Sequence, residues 1–336
     1  MKPIKPQVLI LSSRFDFSTD YVICQLIKNG VSYLRLNRDQ FSEMRLELFP
    51  SPARLVGQMS SVEFEIVSES LRSVYFRAPV FLRDNYQPNL SPEQQFSRSQ
   101  WAAFIRALTV FSDAKWINHP TATYQAEIKP FQLSVAASLG FKIPRTVITN
   151  DSSAAQRRSL GQRLAVKTLD TTVLNFGSSE GFIYTNLVDG EELCRANIST
   201  APIIVQEAVL PKVDIRATVV GNKIFAVEIV SVTGVGFAND WRENKARIQY
   251  RSISLPKEIE ERCCRLVRKL GLVFGGIDLA MRGNEYYFIE INPTGEWAWL
   301  MPPTGFPIDE EIAGLLSRTG KLHDADATLD DNPDVY

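Results

Sequence analysis

In the first third of this chain of 336 residues, the hydrophobic positions follow two patterns, one typical of strands and one typical of helices. Residues 8–11 form a short, wholly apolar run, which is typical of a buried strand. Residues 21–29 and 101–111 have apolar positions at helical spacing, and the first of these stretches ends at a glycine. Further strands are predicted at residues 31–36, 62–66 and 74–77. The alternation of strands and helices predicts a small open sheet flanked by helices, which is an α/β arrangement.

The pattern changes after about residue 120. Residues 126–139 are predicted to form one helix ending at Gly140, and residues 258–270 form an amphipathic helix. Two hairpins are predicted in the last third of the chain, one turning at Gly221-Asn222 and the other at Gly283-Asn284. This part of the chain therefore mixes helices with antiparallel strands.

Charge and composition exclude several classes of protein. The 37 basic and 38 acidic residues nearly cancel, so the chain is not expected to bind nucleic acid. His119 and His323 are the two histidines, and their separation argues against a histidine metal site or a Ser-His-Asp triad. The four cysteines form no CxxC motif, and no window reaches the roughly 18 apolar residues of a membrane span. The sequence predicts a soluble, cytoplasmic protein whose chemistry depends on carboxylates, lysines and arginines.

The strongest chemical signal lies in the second hairpin. Side chains alternate along a strand, so Glu290 and Asn292 point to the same face. If the turn comprises the three residues 283–285, Asp278 lies opposite Glu290. Two carboxylates and one amide oxygen suit Mg²⁺, which prefers oxygen ligands. The alternative is a surface hairpin with unrelated polar residues, but carboxylates among these apolar neighbours need a compensating cation.

Residues 292–300 read NPTGEWAWL. This stretch resembles the NPxGxWxWL segment of the ATP-grasp enzymes that cyclise ribosomally made peptides, the microviridin or graspetide maturases. The Asp…Glu-x-Asn arrangement resembles their metal site, and Asp240-Trp241-Arg242 matches their DWR signature. The resemblance implies an α/β (α+β) ATP-grasp fold, in which a pre-ATP-grasp open sheet with flanking helices precedes two α+β subdomains that clasp ATP. The implied boundaries are 1–120, 121–205 and 206–322, with 323–336 as an acidic tail.

The resemblance also implies roles for individual residues. The implied nucleotide-binding residues are Lys129, Lys167, Gln206, Glu207, Val209 and Asp214. The implied catalytic cations are Arg216 and Arg242, and the implied Mg²⁺ ligands are Asp278, Glu290 and Asn292. Structural ion pairing is the alternative for the Asp-x-Arg element at 214–216. Residues 142–169 include six bases and one acid, which form either a solvated face or a basic funnel for phosphates.

The implied function is an ATP-dependent macrocyclase of a ribosomally made precursor peptide. An Asp or Glu side chain of the precursor becomes an acyl phosphate, and a Ser or Thr hydroxyl (ω-ester) or a Lys amine (ω-amide) attacks it, with ester formation slightly favoured. The implied cofactors are ATP and Mg²⁺, and the implied partners are a peptide with leader and core segments and a second copy of this chain. Two alternatives stay open: a RimK-like or glutathione-synthetase-like carboxylate–amine ligase, and a non-catalytic peptide-binding ATP-grasp scaffold.

Overall fold

A computed structural model describes residues 3–77, 90–158, 160–170, 173–176, 179–232 and 248–318 of the chain. The chain divides into two compact units, Met1–Pro120 with Pro307–Tyr336 and Thr121–Phe306. Within the described ranges, every helix is too short or too polar to cross a membrane. Arg242, with the rest of the predicted DWR match, and the acidic tail at 323–336 lie outside the described residues.

The elements follow one another in three groups along the chain. The first group is β1 (Val8–Ser12), α1 (Phe17–Lys28), β2 (Tyr33–Asn37), β3 (Met44–Pro50), β4 (Ala53–Met59), β5 (Val62–Val67), β6 (Ser73–Phe76), α2 (Pro92–Ala107) and β7 (Lys115–Ile117). The second group is α3 (Pro120–Ala126), α4 (Lys129–Ser138), β8 (Thr146–Thr149), α5 (Ala154–Arg157), β9 (Arg163–Lys167), β10 (Val173–Phe176), β11 (Ser179–Phe182), β12 (Asn186–Asp189), α6 (Gly190–Arg195) and β13 (Ile203–Glu207). The third group is β14 (Val213–Val220), β15 (Lys223–Ser231), β16 (Ile248–Ile253), α7 (Lys257–Lys269), β17 (Phe274–Arg282), β18 (Glu285–Asn292), α8 (Met301–Thr304) and α9 (Ile308–Ser317).

The first unit is built on a parallel sheet with the strand order β2-β1-β6-β7. All five residues of β1 are buried, as expected for a central strand of a parallel sheet. This confirms the predicted open α/β sheet. A second, antiparallel sheet with the order β3-β4-β5 belongs to the same unit. The sequence analysis found β5 but missed β3 and β4, whose connection at Ser51-Pro52 contains no glycine or asparagine to mark a hairpin.

The second unit contains two larger antiparallel sheets. The central sheet has the order β12-β9-β13-β8, and the C-terminal sheet has the order β16-β15-β14-β17-β18. Helices α4 and α7 cover the apolar face of the C-terminal sheet through a buried cluster that includes Leu133, Leu266, Ile277 and Phe288. The single helix predicted over 126–139 is wrong at its start. The chain forms two helices there, and α4 begins at Lys129 because Pro130 fits only the first turn of a helix.

The hairpin of β17 and β18 sets the geometry of the predicted metal site. Its turn has two residues, Gly283 and Asn284, because Arg282 pairs with Glu285, so the assumed three-residue turn is wrong. A β-bulge between Asp278 and Leu279 shifts the register by one residue. The bulge restores the expected pairing, and Asp278 lies directly opposite Glu290.

Candidate active site

A cleft in the second unit lies between the central sheet and the C-terminal sheet. Its apolar surface comes from the segment after β13 and from β17 and β18, and includes Val209, Ala280 and Ile289. The charged side chains that line it are Lys167, Glu207, Lys212, Asp214, Asp278 and Glu290. Five of these six were predicted from the sequence, so the fold brings together residues that lie up to 123 positions apart in the sequence.

The two predicted acidic ligands lie side by side at the cleft. Asp278 on β17 pairs with Glu290 on β18, and Gly276 pairs with Asn292 two residue pairs further along the hairpin. The Asn292 Nδ2 donates to Glu290 Oε1 at 3.4 Å. A cation bound here through the Asn292 oxygen would therefore need the amide rotated to present Oδ1.

The donor set at this position fits Mg²⁺. Within the described residues, no group of three His, Cys, Asp or Glu side chains is arranged to hold a metal ion. The site offers two carboxylates and one amide, which are hard oxygen donors. Mg²⁺ usually takes one or two protein carboxylates and completes its shell with waters and phosphates. Asp278, Glu290 and Asn292 would hold such an ion only together with ligands from a substrate.

Arg216 lies directly behind this acidic pair. It pairs with Asp278 in the register of β14 and β17, and its Nε lies 3.0 Å from Asp278 Oδ1. The two side chains are 7% and 14% exposed, so the ion pair is largely shielded from water. The guanidinium also lies 5.9 Å from the ring centroid of Trp299, which holds it by a cation–π contact.

The backbone around Arg216 leaves room for its guanidinium. A Cβ added to Gly276 would lie 2.4 Å from Arg216 Nη1, so a larger residue there would displace the guanidinium. The Nη1 atom is buried and has no hydrogen-bond partner among the described residues. An unsatisfied donor on a buried cation is costly, and a phosphate or carboxylate oxygen would satisfy it.

Lys129 and Lys212 both lie close enough to Lys167 to affect its charge. Lys129, the first residue of α4, donates from Nζ to the Thr168 carbonyl at 2.9 Å. Burial lowers the pKa of Lys167, the nearby charges of Lys129 and Lys212 lower it further, and Glu290 and Asp278 oppose this shift. Lys129 and Lys167 were predicted, and Lys167 lines the cleft with the predicted acidic pair, while Lys129 lies close enough to Lys167 to affect its charge. An anion in the cleft would relieve the mutual repulsion of these cations.

Lys212 is the residue that the sequence analysis missed. Its Nζ forms an ion pair with Asp214 Oδ1, and both side chains are mostly buried at the cleft. The signal was available, since Lys212 and Asp214 are two residues apart at the start of a strand and so share a face. Asp214 was predicted as a nucleotide-binding residue, and the structure places it at the cleft with Lys212.

The segment from Gln206 to Val209 carries the predicted main-chain contacts. The Gln206 side chain is buried and donates to Thr146 Oγ1 at 2.8 Å. The N–H of Glu207 donates to Arg145 O at 2.9 Å, so that amide is already used within the sheet. By contrast, the N–H of Val209 donates to no acceptor in the part of the chain that the structure describes. This amide is available for a ligand at the apolar end of the cleft.

The two tryptophans of the NPTGEWAWL stretch have different surroundings. Trp297 is fully buried and packs in the core. Trp299 is anchored by its Nε1, which donates to the Glu296 carbonyl at 3.0 Å, and its ring packs 4.8 Å from that of Tyr250. Because Trp299 also contacts Arg216, this second tryptophan belongs to the candidate site.

Three of the six bases in the stretch 142–169 form ion pairs and do not line the cleft. Lys142 pairs with Glu285, Arg145 Nε lies 2.6 Å from Glu207 Oε2, and Arg163 Nη1 lies 2.9 Å from Asp189 Oδ1. In each pair at least one of the two side chains is exposed to solvent, as expected for a solvated face. Lys167 is the cation of this stretch that lines the cleft.

Three solved structures are similar to this chain over nearly its whole length. A RiPP-associated ATP-grasp ligase of Chryseobacterium gregarium, in complex with ADP and a leader and core peptide, is 26% identical, with 93% of this chain and 96% of that chain covered and a TM-score of 0.80. The macrocyclase MdnC of Microcystis aeruginosa, bound with the precursor peptide MdnA, is 25% identical, with 93% and 99% covered and a TM-score of 0.77. The ATP-grasp ligase PsnB, complexed with minimal precursor, Mg and ADP, is 20% identical, with 94% and 98% covered and a TM-score of 0.71, and shares the fold. No protein-family model and no curated protein matches the chain.

The fold and the cleft define an ATP-grasp ligase. Among such ligases, this chain is similar to those associated with ribosomally made peptides, which confirms the resemblance indicated by residues 292–300. The ADP held by the Chryseobacterium gregarium ligase agrees with ATP as a predicted cofactor.

Proposed function

We propose that this ligase is an ATP-dependent macrocyclase of a ribosomally made precursor peptide, joining Asp or Glu side chains to Ser or Thr hydroxyls or to Lys amines. The observation that supports it is Arg216, a shielded arginine with an unsatisfied Nη1, next to two adjacent carboxylates and a group of lysines. This arrangement suits two anionic reactants that must be brought together. The similarity to ligases that were solved with leader, core or precursor peptides supports a peptide as the second substrate.

The proposed activation step begins with a carboxylate of the peptide. One of its oxygens attacks the γ-phosphorus of ATP, the bond from phosphorus to the ADP oxygen breaks, and an acyl phosphate forms. Mg²⁺ held by Asp278, Glu290 and Asn292 would supply charge neutralisation at the phosphates. Lys129 and Lys167 would bind and orient the phosphates, and phosphoryl transfer depends mainly on such positioning and electrostatics.

Arg216 and Arg242 have the proposed catalytic roles. Arg216 is held in one orientation by Asp278 and Trp299, so its free Nη1 can donate to the transferring phosphoryl group or to the acyl phosphate without reorganisation. Arg242 is proposed as a second cation there, on the basis of the DWR match alone. A hydroxyl or amine of the peptide then attacks the acyl carbon, and the carbon–oxygen bond to phosphate breaks.

Binding of the adenine is proposed at the apolar end of the cleft. The N–H of Val209 and the carbonyl of Glu207 would contact the base edge, with Val209, Ala280 and Ile289 against its faces. Gln206 keeps its strand in place through Thr146. Asp214, held by Lys212, is proposed to contact a polar part of the nucleotide. We also propose a cytoplasmic location, because ATP is the co-substrate and all four cysteines are free thiols.

The test is co-expression of the enzyme with each short peptide encoded beside its gene. Mass spectrometry should show the loss of one water per ring, and mild base should reopen esters but not amides. Glu290→Gln should abolish the modification, whereas Glu285→Gln on the same strand should retain it, because Glu285 forms an exposed ion pair with Lys142. Unmodified peptides, together with ligation of a free amino acid, would favour the carboxylate–amine ligase. Equal turnover of ATP by Glu290→Gln and the wild type would refute the proposed metal site.

A further inference from the structure

Strand β18 is the last strand of the C-terminal sheet, and a glutamine side chain covers part of its outer edge. Gln132 on α4 is 3% exposed. Its Oε1 accepts from the N–H of Ile291 at 3.1 Å, and its Nε2 donates to the carbonyl of Ile291 at 2.8 Å. One side-chain amide therefore satisfies both backbone groups of one strand residue, as a neighbouring strand would.

The orientation of the Gln132 amide follows from its surroundings. Nε2 also donates to the carbonyl of Ala126, at the end of α3, at 2.5 Å. With the amide reversed, its oxygen would face two carbonyl oxygens and its nitrogen would face an N–H group. Only one orientation satisfies all three contacts, so the amide is fixed in place.

Ile291 lies between two of the proposed metal ligands. Its own side chain is buried in the core, whereas Glu290 and Asn292 share the opposite face of β18. The N–H of Ile291 belongs to the planar peptide group that carries the Cα of Glu290. Its carbonyl belongs to the next peptide group, which carries the Cα of Asn292. Gln132 thus holds the two peptide groups from which both ligand side chains extend.

The strand needs this support because its pairing with β17 is irregular beside the site. The register passes from Phe288 to Glu290 and leaves Ile289 unpaired at the bulge. A bulge disrupts the ladder locally, so the positions after it are less firmly set by the partner strand. Before the bulge, the N–H of Phe288 donates to the carbonyl of Lys142 at 2.8 Å on the outer edge. After it, Gln132 provides the corresponding contacts.

Helix α4 also carries one of the proposed phosphate lysines. Lys129 lies three positions before Gln132, which places the two side chains on neighbouring parts of one helix face. Lys129 donates from Nζ to the Thr168 carbonyl at 2.9 Å. One short helix therefore connects a proposed phosphate ligand with the backbone between two proposed metal ligands.

We propose that Gln132 is a positioning residue for the Mg²⁺ site, which holds Glu290 and Asn292 in place through the backbone of Ile291. Gln132 contacts neither the ion nor the nucleotide. Residues that orient metal ligands from behind commonly change metal affinity by about 10–100-fold. The proposal rests on the proposed metal ligands, and it does not depend on which peptide is modified or which bond is formed.

Calorimetric titration of the full chain with ADP, at a series of Mg²⁺ concentrations, tests the proposal without catalytic turnover. Gln132→Met keeps the length of the side chain but forms none of the three hydrogen bonds. The Mg²⁺ concentration that gives half of the gain in ADP affinity should rise about tenfold. The ADP affinity measured with a chelator should stay at the wild-type value, because the lysines remain in place.

Leu133→Val is the matched control on the same helix. It removes a methylene group from the core but no hydrogen bond to β18. It should lower the melting temperature and leave the Mg²⁺ dependence of ADP binding at the wild-type value. If Gln132→Met melts below the temperature of the titration, Gln132→Asn replaces it, because its amide is withdrawn from Ile291 by the length of one methylene group.

The outcomes separate this proposal from the metal site on which it rests. A wild type whose ADP affinity does not respond to Mg²⁺ would refute the metal site and the role of Gln132 together. A wild type that responds, with an unchanged Mg²⁺ requirement in the folded Gln132 variant, would overturn the role of Gln132 alone. An equal loss of ADP affinity with and without Mg²⁺ would also overturn it, because Gln132 would then only stabilise the fold.

Discussion

Two shielded arginine–aspartate pairs in this molecule have the same chemistry but different surroundings. In the first unit, Arg77 follows β6, and its Nε lies 3.0 Å from Asp16 Oδ2. The Asp16 carboxylate also accepts from the Ser12 hydroxyl at 3.0 Å, from the Thr19 hydroxyl at 2.9 Å and from the Thr19 N–H at 3.2 Å. Asp16 is also the N-cap of α1. This pair is fully integrated into hydrogen bonds that hold a strand end and a helix start together.

The pair in the second unit differs from the first at its arginine. Arg216 contacts Asp278 through Nε, but its Nη1 has no partner among the described residues. Its surroundings are a glycine that makes room for it, an aromatic ring and a cleft lined by lysines. A saturated buried pair stabilises a fold, whereas a buried cation with a free donor next to a cleft is arranged for an anionic substrate.

The largest effect on stability is expected at the saturated pair. Arg77→Met should lower the free energy of unfolding by about 3–5 kcal/mol, because it leaves the Asp16 charge buried without its cation. Urea denaturation followed by circular dichroism measures this change. Arg14→Met is the matched control, because Arg14 pairs with Asp39 at the surface and the expected loss is about 1 kcal/mol or less. Similar losses for the two variants would contradict the assignment of Arg77 as a structural residue.

The second largest effect is expected on kcat, when Arg216 of the incomplete pair is replaced. Arg216→Met should lower kcat for peptide-dependent ATP turnover by about 10²–10³-fold, the usual result of removing a donor that stabilises the transition state. Steady-state kinetics measures kcat, and Arg163→Met, which breaks the exposed pair with Asp189, is the control. If Arg216→Met instead lost stability with normal kcat, Arg216 would be a structural residue like Arg77.

The sequence predicted the residues of the second pair but not the difference between the pairs. Arg216 and Asp278 were found through a resemblance of short motifs, and the alternation of β18 correctly placed Glu290 and Asn292 on one face. No role was assigned to Arg77 from the sequence. Whether such a pair is saturated depends on groups that only the fold brings together, as it brings Ser12, Thr19 and the start of α1 to the Asp16 carboxylate.

Other features escaped because local sequence does not encode them clearly. The alignment of Asp278 with Glu290 depends on a bulge, and neither hairpin strand contains a glycine or proline at the bulge to mark it. Lys212 was not singled out from the sequence, and the fold buries it beside Asp214. The start of α4 was predictable, since Pro130 limits how the helix can begin, yet apolar periodicity suggested a longer helix.

Two neighbouring glycines provide a smaller test of the same contrast. A Cβ at Gly276 would lie 2.4 Å from Arg216 Nη1, whereas a Cβ at Gly275 would lie 2.7 Å from Ile291 Cδ1 in the core. Gly276→Ala should therefore displace Arg216 and lower kcat about tenfold, a modest loss compared with removing the whole donor. Gly275→Ala should chiefly lower stability, by about 1–3 kcal/mol through overpacking. Kinetics and urea denaturation of both variants measure the two effects, and a larger loss of kcat in Gly275→Ala would contradict this account.

The smallest expected effect is the pH dependence of the saturated pair. Burial alone would raise the pKa of Asp16, but the charge and hydrogen bonds of Arg77, with those of Thr19 and Ser12, bring this pKa below its usual value. A carboxyl with a lowered pKa contributes stability that is fully present above the pKa of an unfolded aspartate, about 3.9. This contribution is lost as the pH falls through the lower pKa of the folded state.

Asp16→Asn isolates this contribution, because it removes the titrating group and keeps a similar shape. Urea denaturation at a series of pH values below 5 should show a shallower acid-induced loss of stability in Asp16→Asn than in the wild type. Glu69→Gln, a change at an exposed carboxylate of the same unit, is the control and should follow the wild-type slope. Equal slopes for Asp16→Asn and the wild type would mean that Arg77 does not stabilise the ionised carboxylate. The distinction between a saturated and an incomplete pair would then rest on the kinetics of Arg216 alone.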